Sequence, residues 1–116
     1  MEVRGNRGLH GFVYEPNPYL ARVLRRGLER HGISITLAAD VGEAMASLEK
    51  VAYHFALVEP CCRYGYLNGI VPYLRENHAT LPRILISSWL PPDCRDEHFL
   101  YKPFTLRELL ELLSKF

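Results

Sequence analysis

Cysteine is scarce: Cys61, Cys62 and Cys94 are the only three in 116 residues, and two of them are adjacent. That number cannot build a disulfide framework, and it suits a reducing, cytoplasmic setting. Long apolar runs are missing as well. Nothing approaches the roughly 18–20 residues that a membrane span requires. Residues 1–10 are charged and glycine-rich, without the apolar heart of a signal peptide, and read as a flexible leader. Excess charge is also absent. Lys+Arg 14 against Asp+Glu 13 leaves +1, so no global field points to nucleic acid or an acidic substrate. There is no glycine-rich phosphate loop, no internal repeat and no interdomain linker. What is present is one domain, residues 11–116, near the commonest domain size and with 48% apolar residues to fill a single core.

Strands and helices alternate along it. Phe12-Val13-Tyr14 is β-prone and stops at Glu15, because Pro16 and Pro18 forbid a continuing strand. Asn17 before Pro18 is a helix start. Leu20, Val23, Leu24 and Leu28 give that helix an inner face, Arg22, Arg26 and Arg30 an outer one, and Gly32 a stop. Ile33, Ile35 and Leu37 alternate with Ser34 and Thr36 as a half-buried strand. Asp40 and Glu43 predict a capped helix with Ala44, Met45, Leu48 and Ala52 inward. Phe55–Val58 is a fully apolar strand, and Ile70–Glu76 a short helix with Pro72 in its first turn and Leu74 inward. Ile84-Leu85-Ile86 and Phe99–Tyr101 are further strands. Between them, Trp89 to His98 has no helical period. Thr105 and Glu108 cap a last helix whose core face is Leu106, Leu109, Leu110, Leu113 and Phe116. The sum is an α/β chain with a doubly wound five-stranded parallel sheet.

In such sheets ligands meet the carboxyl ends of the strands. Those ends here are Glu15, Glu59, Ser87 and Lys102: two carboxylates, a hydroxyl and an ammonium. The set suits phosphoryl or divalent-metal chemistry; taken singly, each is better read as the first solvated residue after a buried strand, a reading that weakens when all four share one edge.

The chain resembles the CheY-like receiver domains of two-component response regulators over residues 11–116. The resemblance is carried by Phe12 to Leu20, Tyr53 to Glu59, Asn68-Gly69, Pro82 to Ser88, Phe99 to Phe104 and, most specifically, the Lys102-Pro103-Phe104 ending with its capped leucine-rich helix. It implies a strand order 2-1-3-4-5. It places Glu59 at the phosphoacceptor position, Ser87 at the small-hydroxyl position, Lys102 at the phosphoryl-pairing lysine and Phe99 at the switch aromatic. It also exposes departures. Glu15 keeps one metal-holding acid, but Pro16 stands where the second belongs. Glu59 carries a methylene more than aspartate, and a displacement of about 1 Å is expensive in positioned chemistry. The segment between Ser87 and Phe99 is too short for a full fourth helix, which is expected to be shortened or missing.

These departures imply a degenerate pocket in which Lys102 neutralises Glu15 and Glu59, with magnesium bound weakly or not at all. The expected function is an atypical signalling module, not an enzyme, that meets a protein partner without phosphorylation and pairs as a homodimer. The alternatives are a working receiver with an unusual phosphoacceptor or metal chemistry, or a small cysteine-based metal or redox protein. Cys61, Cys62, Cys94 and His98 carry zinc-type ligand atoms, as Glu15 and Glu59 carry magnesium-type ones. Adjacent cysteines chelate poorly, however, and no metal site is expected. The arginine stripe reads as a solvated face, so nucleic acid is not an expected partner. Tyr64, Tyr66 and Trp89 either anchor a partner or fold over the gap left by the missing helix. Leucines at 109, 110, 112 and 113 point in one direction more than a single buried face uses. That surplus, Leu112 and Leu113, marks a surface for self-association.

Overall fold

The computed structural model describes residues 8–61, 67–89, 94 and 97–116. Tyr64, Tyr66, Cys62 and residues 1–7 of the leader lie outside them. In chain order the elements are β1 (His10–Tyr14), α1 (Pro18–Glu29), β2 (Ser34–Ala38), α2 (Val41–Lys50), β3 (Phe55–Val58), α3 (Ile70–Asn77), β4 (Arg83–Ser87), β5 (His98–Tyr101) and α4 (Leu106–Leu113). The strands form one sheet in the order β2-β1-β3-β4-β5, and every pairing is parallel. β1 begins at His10, whose register partner is Ser34. Among the described residues no helix intervenes between β4 and β5.

Strand side chains alternate between the two faces, and both faces are buried. Phe12, Tyr14, Ala56, Val58 and Leu85 meet Ala44 and Leu48 of α2 and Ile70 and Leu74 of α3 in one apolar cluster. Val13, Phe55, Leu57, Ile84 and Ile86 meet Leu24 and Leu28 of α1 and Leu109, Leu110 and Leu113 of α4 in the other. A sheet covered on both sides explains why β3 reads as a continuous apolar run. It also explains Gly11. A Cβ there would lie 2.2 Å from the ring of Phe55, its register partner, so only glycine lets that ring cross β1.

The predicted caps form. The Asn17 side chain accepts from the amides of Tyr19 and Leu20, Asp40 from Glu43, and Thr105 and Glu108 satisfy each other's backbone amides. α1 ends at Glu29, and Gly32 takes a positive φ of 81° in the turn beyond it. Several core assignments are corrected. Val23 is 49% exposed, because α1 buries Ala21, Leu24 and Leu28 and turns Val23 aside. Ala52 is exposed beyond the end of α2. Phe116 is 45% exposed and rests against the His98 ring, centroids 5.0 Å apart. Leu113 is buried, which removes it from any partner surface, and Leu112 packs part-buried against the same cluster.

One buried cation had no counterpart in the sequence reading. Arg83, 7% exposed at the start of β4, donates to the carbonyls of His78 (2.7 Å), Ala79 (3.2 Å) and Leu81 (3.1 Å). Glu97, which also binds Arg75 at 2.9 Å, lies 3.9 Å from it. The arginine therefore satisfies the backbone of the α3–β4 turn and links it to the residue before β5.

Candidate functional site

Each candidate residue is held by the strand it follows. The Glu15 amide donates to the Ala38 carbonyl (3.2 Å) and the Glu59 amide to that of Tyr14 (3.0 Å), extending the ladders of β1 with β2 and β3 by one rung. The Lys102 amide donates to the Ser87 carbonyl (2.8 Å), extending β4–β5 in the same way, and Lys102 joins Pro103 by a cis peptide bond. The sheet thus delivers two acids and a lysine to one edge by backbone pairing alone.

There the side chains meet. Lys102 Nζ lies 2.7 Å from Glu15 Oε1 and 2.8 Å from Glu59 Oε1. The contact with Glu59 is a hydrogen bond. That with Glu15 is a close ion pair, and Oε1 of Glu15 has no hydrogen-bond geometry to any described group although it is buried. The remaining carboxylate oxygens are engaged locally: Glu15 Oε2 accepts from the Asn17 amide (3.0 Å) and Glu59 Oε2 from the Cys61 amide (3.1 Å). Glu15 is 2% and Glu59 9% exposed, so the group is an interior ion triad rather than a surface pair. Burial works against charge on Lys102, but its attraction to the carboxylates of Glu15 and Glu59 outweighs burial and holds its pKa above the ordinary lysine value.

Ser87 is buried, and its hydroxyl accepts from the Trp89 amide at 3.4 Å. Pro16 is exposed and offers neither a carboxylate nor an N–H. Asn68, which with Gly69 carries part of the resemblance, is bonded to the chain at the site. Its Nδ2 donates to the Glu59 carbonyl (2.7 Å), its Oδ1 accepts from the Ile70 amide (3.1 Å), and Gly69 beside it takes φ 90°. The Asn-Gly signal was visible, but the bond to the chain at Glu59 needs the fold. Phe99 is part-buried and stacks edge-on to Tyr101 at 4.5 Å.

The residues with zinc-type ligand atoms are dispersed among different settings, and Cys62 lies outside the described residues. Cys94 is fully buried in the cluster beneath α2 and α3, whereas His98 is exposed at the amino end of β5, opposite to the acids. Cys61 Sγ points at the Trp89 carbonyl, 3.9 Å away. Among the described residues no group of three or more His, Cys, Asp or Glu could hold a metal ion.

Magnesium, which the receiver resemblance implies, is also a poor match to these donors. It requires oxygen ligands in near-octahedral array, anionic ones among them. Both available carboxylates already share an ammonium, and each spends its other oxygen on a backbone amide. Pro16 supplies nothing in the place of the missing acid. An ion here would have to displace Lys102.

No family model and no curated protein matches the chain. Solved structures do. The chemotaxis response regulator CheY4 of Vibrio cholerae superposes with a TM-score of 0.79 at 19% identity, over 92% of this chain and 97% of that one. The receiver domain of Francisella response regulator 1452 gives 0.80 at 20%, over 93% and 95%. Response regulator TrrA from Thermotoga maritima, in complex with Mg2+-BeF, gives 0.77 at 20%, over 92% and 97%. With its sheet order 2-1-3-4-5 and two acids and a lysine gathered at the carboxyl edge, this chain has the CheY-like receiver fold.

Proposed function

We propose that the chain is a receiver-fold signalling module that acts by binding a protein partner without being phosphorylated. The single observation that carries this is the Lys102 bridge, 2.7 and 2.8 Å from Glu15 and Glu59, with Pro16 in the neighbouring position. A lysine committed to two buried carboxylates holds the pocket in one arrangement whether or not a phosphoryl group is offered. Glutamate at the acceptor position, already hydrogen-bonded at both oxygens, is a poor nucleophile toward a phosphodonor. No enzymatic chemistry follows from these groups.

The reading includes self-association. Tyr101 is 58% and Trp89 51% exposed, and the pairing of Ser87 with Tyr101 sets both at the same corner of the sheet. Large exposed aromatics so placed are suited to anchoring an interface. Sedimentation velocity should give a dimer, and Trp89→Ser with Tyr101→Ser should give a monomer.

The phosphorylation arm is tested by incubation with acetyl phosphate and magnesium, read by intact mass and by near-ultraviolet circular dichroism. The expected result is an unmodified mass and an unchanged spectrum. A stable covalent phosphate with a shifted spectrum would overturn the proposal in favour of a receiver with glutamate as acceptor.

A further inference from the structure

A cavity of about 670 Å³ opens on the face of the sheet opposite α2 and α3, between α1 and the β5–α4 connection. Its walls are Leu20, Val23, Leu24 and Gly27 of α1, Pro103 and Phe104 of the connection, and Leu106 at the start of α4. The two helices nearly touch at Gly27, where a Cβ would come within 3.2 Å of Leu106. The absence of a side chain at Gly27 leaves the apolar space open there. The size lies within the range of small-ligand clefts, and the wall is mostly carbon, as such clefts are.

Arg26 and Arg30 stand on the rim. They lie one helical turn apart on the same side of α1, so their guanidinium groups can converge on one anion. Both are exposed, and among the described residues neither has an acidic partner; the nearby Glu29 pairs with Arg25 instead. Lys102 also lines the cavity, but its ammonium is held by Glu15 and Glu59, which leaves the two arginines as the cations available to a ligand. Val23, half exposed on a helix face that otherwise presents charge, belongs to the same wall.

From an apolar cleft with two guanidinium groups at its mouth that have no acidic partner among the described residues, we infer that α1 and the β5–α4 connection form a binding site for an amphipathic anion, an apolar chain ending in one carboxylate. The apolar part lies against Leu24, Phe104 and Leu106, and the carboxylate is held by Arg26 and Arg30. Because Lys102 and Pro103 form one wall, such a ligand would touch the residue that bridges the acids. The site does not depend on whether Glu59 accepts phosphate.

The test is calorimetric titration of the full chain with dodecanoate below its micellar concentration, with dodecyltrimethylammonium as the cationic control. Saturable one-to-one binding of dodecanoate, with the control at least about ten-fold weaker, is expected. Arg26→Gln with Arg30→Gln, both exposed, should weaken dodecanoate about ten-fold or more without lowering the thermal midpoint. Val23→Asp should do the same from the apolar wall. Absence of saturable binding, equal affinity for the two surfactants, or unchanged affinity in the arginine variant would each overturn the inference. So would displacement of dodecanoate by a tighter-binding acidic amphipathic helical peptide, which would assign the groove to a protein instead.

Discussion

At the scale of single residues, Lys102 decides what the carboxyl edge of the sheet is. Removing one member of a buried ion group leaves its partners charged without compensation, which costs about 3–5 kcal/mol. Lys102→Met should therefore lower unfolding stability by that order in urea melts. Replacing all three residues together, Glu15→Leu, Glu59→Met and Lys102→Met, should recover most of the loss, because desolvation of the ions opposes their attraction. The same lysine gives a pH signature. Its folded pKa is raised, so its stabilising contribution is fully present below the unfolded value, about 10.4 for lysine. That contribution disappears as pH rises through the higher folded value. The share of the urea midpoint that Lys102 supplies should be constant up to about pH 10 and fall above it, and Lys102→Met should lack that alkaline limb. Tyr73, pushed up to about 12 by burial and by its bond to Glu49, also titrates in the alkaline range and is separable by its absorbance.

At the scale of elements, the sequence displayed nearly every strand and helix, because two periodicities carry them. Phe12 and Tyr14 against Val13, or Ile84 and Ile86 against Leu85, alternate as strand residues must. Leu109, Leu110 and Leu113 recur as helix residues must. Asn17, Asp40 and Thr105 mark starts that the structure keeps. Less legible was anything set by an element's neighbours. Val23 looks inward by spacing, yet α1 is rotated so that Ala21 takes that place, and nothing in the local pattern separates the two. The role of Arg83 could not be read, since its hydrogen bonds go to carbonyls of the turn before it and its acid, Glu97, belongs to a distant stretch of the chain. The acids and lysine of the site were legible as strand ends, but the register that sets His98 opposite Ile84, at the amino end of β5, was not. Gly11 offers a test at this scale. Gly11→Ala forces the Phe55 ring out of its place on β1, and overpacking of that kind destabilises by about 1–3 kcal/mol. A lowered urea midpoint with an unchanged slope would bear this out, and an unchanged midpoint would refute the requirement for glycine.

At the scale of the molecule, the two apolar clusters are the two sides of one sheet, within a body of 13.1 Å radius of gyration. Phe12 and Val13 are consecutive residues in different clusters, so neither cluster can dissolve while the other keeps its backbone. Thermal unfolding should be a single transition, with tryptophan fluorescence and far-ultraviolet dichroism coincident. Separate midpoints would show that the α2–α3 and α1–α4 layers melt independently.

The sheet order also bears on the sequence of events during synthesis. β1, β2 and β3 lie side by side and are made first, so Glu15 and Glu59 can be brought together while the lysine between them has yet to leave the ribosome. Two adjacent acids without a counter-charge resist drying, and the carboxyl ends of those strands should stay open to water until β5 docks. Pulsed hydrogen exchange during refolding should reveal this as timing. The amides of Glu15 and Glu59 should gain protection together with that of Lys102, later than those of Phe12 and Leu57 in the same strands. The bridge then serves as a latch that closes only on a finished sheet.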